Sequence, residues 1–192
     1  MAVNYQLELE RELQKNEGKT PRLLLHCCCA PCSSYVLEYL SPHFSITAHY
    51  YNPNIDTPEE YAHRARELSR FVQEMPLPGA VDVLAEPYTP AEFYAAVKGL
   101  EDIPEGGRRC YECYRLRLRR AAQAAAAGGY DYFTTTLSIS PHKNAVWLGE
   151  LGEAFAAEYG VRWLPSDFKK KNGFKRSTEL AARYGLYRQD YC

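Results

Sequence analysis

Leu23-Leu24-Leu25 is an apolar run with no alternation of polar and apolar positions. A strand with one solvated face alternates, whereas a strand covered on both faces does not. Such a strand belongs to a parallel sheet with helices on each side, whose neighbours are joined by long crossovers. The run leads into His26-Cys27-Cys28-Cys29-Ala30-Pro31-Cys32-Ser33-Ser34, which puts four cysteines within six residues. The first strand therefore delivers a thiol cluster at its own carboxyl end, and Ser33 or Ser34 is the expected cap of the helix that follows.

The remaining chain keeps the same alternation. Strands are expected over 44–51, 81–84, 130–135 and 161–164. Helices are expected over 58–75, 91–97, about 110–127, 145–159 and 177–183, with Thr57 before Pro58 as one N-cap and Ser177 as another. Residues 136–144 read as a polar loop, and residues 167–176 as a basic one. The fold class this predicts is α/β: a Rossmann-like doubly wound parallel sheet in a single domain over residues 21–192, preceded by a polar N-terminal arm over residues 1–20. Sheets of this kind bind ligands where their strands end. The exits at residues 27–34, 51–56 and 136–144 are expected to meet there and form a metal site.

The length of 192 residues suits one domain with a core of its own. The net charge of −1 supplies no global field toward a polyanion or a membrane, so any basic site must be local. No run approaches the roughly 18 apolar residues of a membrane span, and no signal-peptide pattern opens the chain. A cytoplasmic protein is the expectation. In a reducing compartment, seven cysteines point to ligands or redox thiols more than to structural disulfides.

Cys29 and Cys32 form a CxxC, as do Cys110 and Cys113. At a helix start this spacing aims two thiols at one point, where the helix dipole favours thiolates. Two such pairs make a four-thiolate site suited to zinc or to an iron–sulfur cluster. Other readings compete: inert buried thiols, a thioredoxin-type CxPC dithiol oxidoreductase, and a zinc-bearing RNA-binding module. Clustering argues against the first, and the second CxxC against the dithiol enzyme. The vicinal Cys28 and Cys29 are unusual for structural zinc. A nucleotide hydrolase of the PP-loop type is disfavoured because no Ser-Gly-Gly loop follows the first strand.

Several motifs together resemble the QueH-type epoxyqueuosine reductases. They are His26-Cys27-Cys28-Cys29-Ala30-Pro31-Cys32; Tyr51-Asn52-Pro53-Asn54-Ile55 with Glu60-Tyr61 and Arg64; and Arg109-Cys110 with Cys113-Tyr114 and Arg117. Residues 134–144, Asp167-Phe168-Lys169-Lys170 with Gly173, and Tyr191-Cys192 complete the set in order. The resemblance runs from about residue 22 to the end of the chain. It implies reduction of epoxyqueuosine in the tRNA wobble position to queuosine, the last step of queuosine synthesis, without cobalamin. It also implies a [4Fe-4S] cluster on Cys28, Cys29, Cys110 and Cys113, and a second metal ion close by, iron or zinc, for which Cys32 can supply a ligand. Cys27 occupies a position that need not be cysteine in the family. The family tail reads Tyr-Cys-Gly-Cys with a redox-active pair. Here Cys192 is the tail thiol, and it cycles only if another thiol partners it.

Opening an epoxide to an alkene takes two electrons and two protons, and no side chain supplies electrons repeatedly. An electron donor, which the sequence does not identify, is implied. Tyr51, Asp56 and His142 are candidate proton donors beside Tyr50, and His26 is read as a core residue. For the tRNA, Arg108, Arg109, Arg115, Arg117, Arg119 and Arg120 form one basic group beside the cysteines, with Arg108 and Arg109 as its candidate contacts. Lys169, Lys170, Lys171, Lys175 and Arg176 form another, with Phe174 available for stacking.

Overall fold

The computed structural model describes residues 3–189 and Tyr191. The elements follow the chain as α1 (Tyr5–Lys15), β1 (Arg22–His26), α2 (Ala30–Leu40), β2 (Ser45–Tyr50), α3 (Pro58–Glu74), β3 (Val81–Ala85) and α4 (Pro90–Ala96). After these come α5 (Arg108–Ala127), β4 (Tyr132–Thr135), a single 3-10 turn (Thr136–Ile139), α6 (Ala145–Tyr159), β5 (Arg162–Trp163) and α7 (Gly173–Arg183). All strand pairs are parallel, in the order β3-β2-β1-β4-β5.

β1 lies at the centre, and its leucines divide between two cores. Leu23 and Leu25 join Ile46, Ala48 and Tyr50 against Val36 and Leu37 of α2, Leu68 and Phe71 of α3, and Leu180 of α7. Leu24 faces the other way, with Phe133 and Trp163, against Leu118 and Ala122 of α5 and Leu148 and Phe155 of α6. This is why the run shows no alternation: each successive side chain has a core of its own to enter. The first core also takes Leu9 of α1, so the segment over residues 5–15 is packed onto the domain.

Local chemistry sets most element ends. Thr57 accepts from Glu60 N and precedes Pro58, which starts α3 with two acidic residues in its first turn. Asn144 accepts from Val146 N and Trp147 N to open α6, and Gly160 closes it at φ +69°.

Two expected caps are corrected. α2 begins at Ala30 with Cys29 as its N-cap, four residues before the expected serine. Pro31 is tolerated only in a first turn, and the Ser33 hydroxyl donates back to the Cys29 carbonyl at 2.7 Å. α7 likewise starts at Gly173, after Asn172 at φ +61°, so Ser177 lies inside it. The segment expected as a polar loop after β4 begins with the 3-10 turn, and all four of its residues are buried.

Candidate metal centre

The chain turns from β1 out to β3 on one side and returns to β4 on the other side of β1. The carboxyl ends of β1 and β4 therefore flank the point where the strand order reverses, where a crevice opens in sheets of this class. β1 leads into the cysteine run, and β4 ends at Thr135, followed by Thr136 of the 3-10 turn.

The Sγ atoms of Cys28, Cys29 and Cys32 lie within 4.8 Å of one another, and those of Cys28 and Cys29 are 3.9 Å apart. Among the described residues no other three ligand-type side chains gather this closely. Three thiolates bound to one ion at about 2.3 Å stand about 3.8 Å from each other, so the trio fits a metal ion. Cys29 caps α2 and Cys32 lies in its first turn, so the positive end of the helix dipole faces the sulfurs.

The three thiols share charge unequally. Hydrogen bonding from Cys29 and Cys32, helped by Arg117 and the Thr136 hydroxyl, holds the Cys28 thiol well below its usual range despite burial. The bond to Cys28 pushes Cys29 up to about 12, and Cys32 is raised well above the ordinary thiol range by Cys28 and then Cys29. A bound metal would take the place of the thiol protons in this network. Cys27 stands apart: it is fully buried, its Sγ lies 3.4 Å from the Leu25 carbonyl, and burial raises its thiol.

Cys110 and Cys113 lie in the first turns of α5, outside the tight trio. The backbone N–H of Gly106 donates to Cys110 Sγ at 3.3 Å. Arg117, one turn beyond Cys113, reaches back to Cys113 Sγ at 3.9 Å and donates to Asn52 Oδ1 at 2.6 Å. Asn52 in turn donates to the Cys27 carbonyl at 2.9 Å. Below them His26 is fully buried, its ring nitrogens 2.9 Å from Thr135 Oγ1 and 3.0 Å from the Tyr51 carbonyl. Burial, with Arg117 beside it, lowers its pKa to about 3. The ring is neutral, with Nδ1 toward the threonine hydroxyl and Nε2 toward the carbonyl and the Arg117 guanidinium. His26 ties the exits of β1, β2 and β4 together, as its core reading anticipates.

The other expected site residues differ in access. Tyr51 is 1% exposed, its hydroxyl donates to Glu92, and burial raises its pKa. Asp56 and His142 are exposed on the loops beyond β2 and the 3-10 turn. Arg108 is exposed, and Arg109 donates to the Glu101 carbonyl at 2.9 Å. In the second basic group, Lys169 pairs with Asp167, Lys171 with Glu10, and Arg176 with Glu38 and Glu179. Lys170 and Lys175 are exposed and make no ion pair among the described residues. Cys192 lies outside the described residues.

Sequence reasoning missed Thr136, which receives the Cys28 N–H at 3.3 Å and lies 3.4 Å from its Sγ. It also places Arg117 in a basic patch beside the cysteines, whereas the fold buries it. The spacing Cys110, Cys113, Arg117 is i, i+3, i+7, one helical face, and that was the available signal.

The family model described as epoxyqueuosine reductase QueH matches residues 23–192. A Streptococcus pyogenes epoxyqueuosine reductase QueH is 42% identical over 194 residues, covering 99% of this chain and 76% of the relative. The Staphylococcus epidermidis protein of that name is 41% identical, covering 99% and 82%. The one from Thermotoga maritima is 32% identical, covering 88% and 86%. With the match running through every motif that builds the crevice, the chain belongs to the epoxyqueuosine reductase QueH family of oxidoreductases.

Proposed function

We propose that this protein reduces the epoxide of epoxyqueuosine, in the wobble position of a tRNA anticodon, to the cyclopentene of queuosine. The balance is two electrons and two protons in, with the epoxide oxygen leaving as water. The observation that carries this reading is the thiol trio at the strand-order switch, in a chain that belongs to this family.

Cys28, Cys29, Cys110 and Cys113 are assigned to a [4Fe-4S] cluster, and Cys32 to a second metal ion, iron or zinc. Bound there, these groups would supply electrons one at a time and a Lewis acid for the leaving oxygen. The chain's own residues do the remaining work. Thr136 and Arg117 bear on the thiolate charge from two sides. Asp56 and His142, open to solvent, are candidate proton donors for the alkene-forming step, and Tyr51, buried with its hydroxyl on Glu92, is a third. Arg108, Arg109, Lys169, Lys170, Lys171, Lys175 and Arg176 are assigned to the tRNA backbone, with Lys170 and Lys175 the readiest for phosphate. The wobble nucleotide must leave its stack to reach these thiols, which are half-buried except for the buried Cys29. Cys192 is assigned as a redox thiol between the centre and an external electron donor. The reaction belongs in the cytoplasm with its tRNA. Among the described residues no helix is long and apolar enough to cross a membrane.

A second reading has one observation in its favour: the trio's close spacing also suits a lone zinc ion in an RNA-binding module. Anaerobic purification separates the two. A cluster gives a broad absorbance near ~400 nm with about four irons and labile sulfide. Cys110→Ser is expected to remove the colour and the conversion of epoxyqueuosine tRNA. A colourless protein carrying zinc alone would overturn the reductase assignment, and a coloured Cys110→Ser protein would overturn the ligand set.

A further inference from the structure

Arg117 is 3% exposed, in the middle of the crevice. A guanidinium there is expensive unless negative charge and hydrogen-bond acceptors surround it. Its burial also removes it from the phosphate-binding role that its neighbours Arg108 and Arg109 can fill. Its surroundings are chemically specific. Nη1 lies 3.9 Å from Cys113 Sγ, Nη2 donates to Asn52 Oδ1 at 2.6 Å, and Nε is 3.4 Å from His26 Nε2. Asn52 is itself held by the Cys27 carbonyl, so the fork is fixed in place from the β1 side while its Cα belongs to α5. One cation therefore spans the two cysteine-bearing elements.

A positive charge and N–H···S contacts stabilise the electron-rich state of a thiolate-bound metal more than the electron-poor one. Charge alone gives part of this effect. The planar fork of arginine, aimed at two acceptors at once, gives the rest, and lysine cannot reproduce it. We propose that Arg117 is a positioning residue of the metal centre that joins Cys113 to the cysteine run after β1 through Asn52 and sets the reduction potential of the centre upward. This rests on the assignment of a redox-active centre to these cysteines under the proposed function.

The test is a redox titration of the metal-loaded protein, followed by electron paramagnetic resonance, for wild type, Arg117→Lys and Arg117→Gln. Binding of tRNA is measured on the same samples. Arg117→Gln is expected to disfavour reduction by about tenfold or more, which for a one-electron couple is about 59 mV toward negative potential. Arg117→Lys, which keeps the charge and is the variant to rely on if the glutamine protein does not fold, is expected to shift the same way by less. The tRNA affinity is expected to stay within about twofold in both, as befits a side chain removed from solvent. Unmoved potentials in the folded variants would overturn the proposal. So would a large loss of tRNA affinity at unchanged potential, which would make Arg117 a phosphate contact. A wild-type protein without a redox-active metal would overturn the reductase reading, and this one with it. A wild-type centre that ignores Arg117 overturns this one alone.

Discussion

Glu86, the residue after β3, carries more of the fold than its place in the sequence shows. Its carboxylate accepts from His49 Nε2 at 2.6 Å and from Arg120 Nε at 2.7 Å, while its backbone carbonyl accepts from Tyr61 at 2.8 Å. Burial would raise its pKa, but His49 and Arg120 outweigh that and lower it to about 2. A carboxylate whose pKa falls on folding stabilises the protein above its unfolded pKa, and that contribution is lost as pH falls through the folded value. Glu86→Gln is therefore expected to cost on the order of 2–3 kcal/mol at pH 7. The gap from wild type should close as pH falls from about 5 toward 2, as followed by urea unfolding at a series of pH values. A gap that stays constant with pH would show that the carboxylate charge is not what is lost. The same pair shows how a buried histidine is kept orderly: His49 gives Nε2 to Glu86, and its Nδ1 has no partner among the described residues.

Among the elements, α7 depends most on a single small residue. A Cβ on Gly173 would stand 1.9 Å from the Phe168 carbonyl oxygen and 2.5 Å from the Tyr35 ring of α2. The backbone of the loop cannot give that much, so Gly173→Ala is expected to cost about 2 kcal/mol and to displace the basic turn. Lys175→Ala, exposed on the same helix, is expected to stay within about 0.5 kcal/mol of wild type. The comparison is read from urea midpoints, and equal midpoints would mean that the α2–α7 contact yields to a methyl group at little cost. α2 and α5 have a matching role on the site side. Both begin at the crevice, and both carry cysteines in their opening turns.

At the scale of the whole molecule, charge is nearly balanced, so the tRNA binding proposed above has to come from local groups. The eight-residue run from Lys169 to Arg176 looks uniformly basic in the sequence. In the fold, Glu10, Glu38, Asp167 and Glu179 neutralise much of it. Replacing Lys170 and Lys175 together by alanine is expected to weaken tRNA binding and lower the log–log salt slope by about 1–2. Fluorescence anisotropy over a range of salt concentrations measures it, and an unchanged slope would remove this basic segment from the proposed tRNA interface.

What the sequence determined by itself is the layered architecture and the location of the chemistry. The leucine run of β1, the Thr57-Pro58 start of α3 and the Asn144 start of α6 are local signals, and each produced its element because its physics acts within a few residues. The carboxyl-end thiols of β1 were legible for the same reason. What only the tertiary structure decided is pairing across the chain. Thr136 meets Cys28 because β4 is the neighbour of β1, and Arg117 meets Asn52 because α5 packs across that strand pair. Arg176 meets Glu38 because α7 lies on α2. Whether a cation is a tRNA contact, a surface ion pair or a buried partner of thiolates depends on which groups surround it. Those groups come from residues tens of positions away, so no local pattern of sequence encodes the answer.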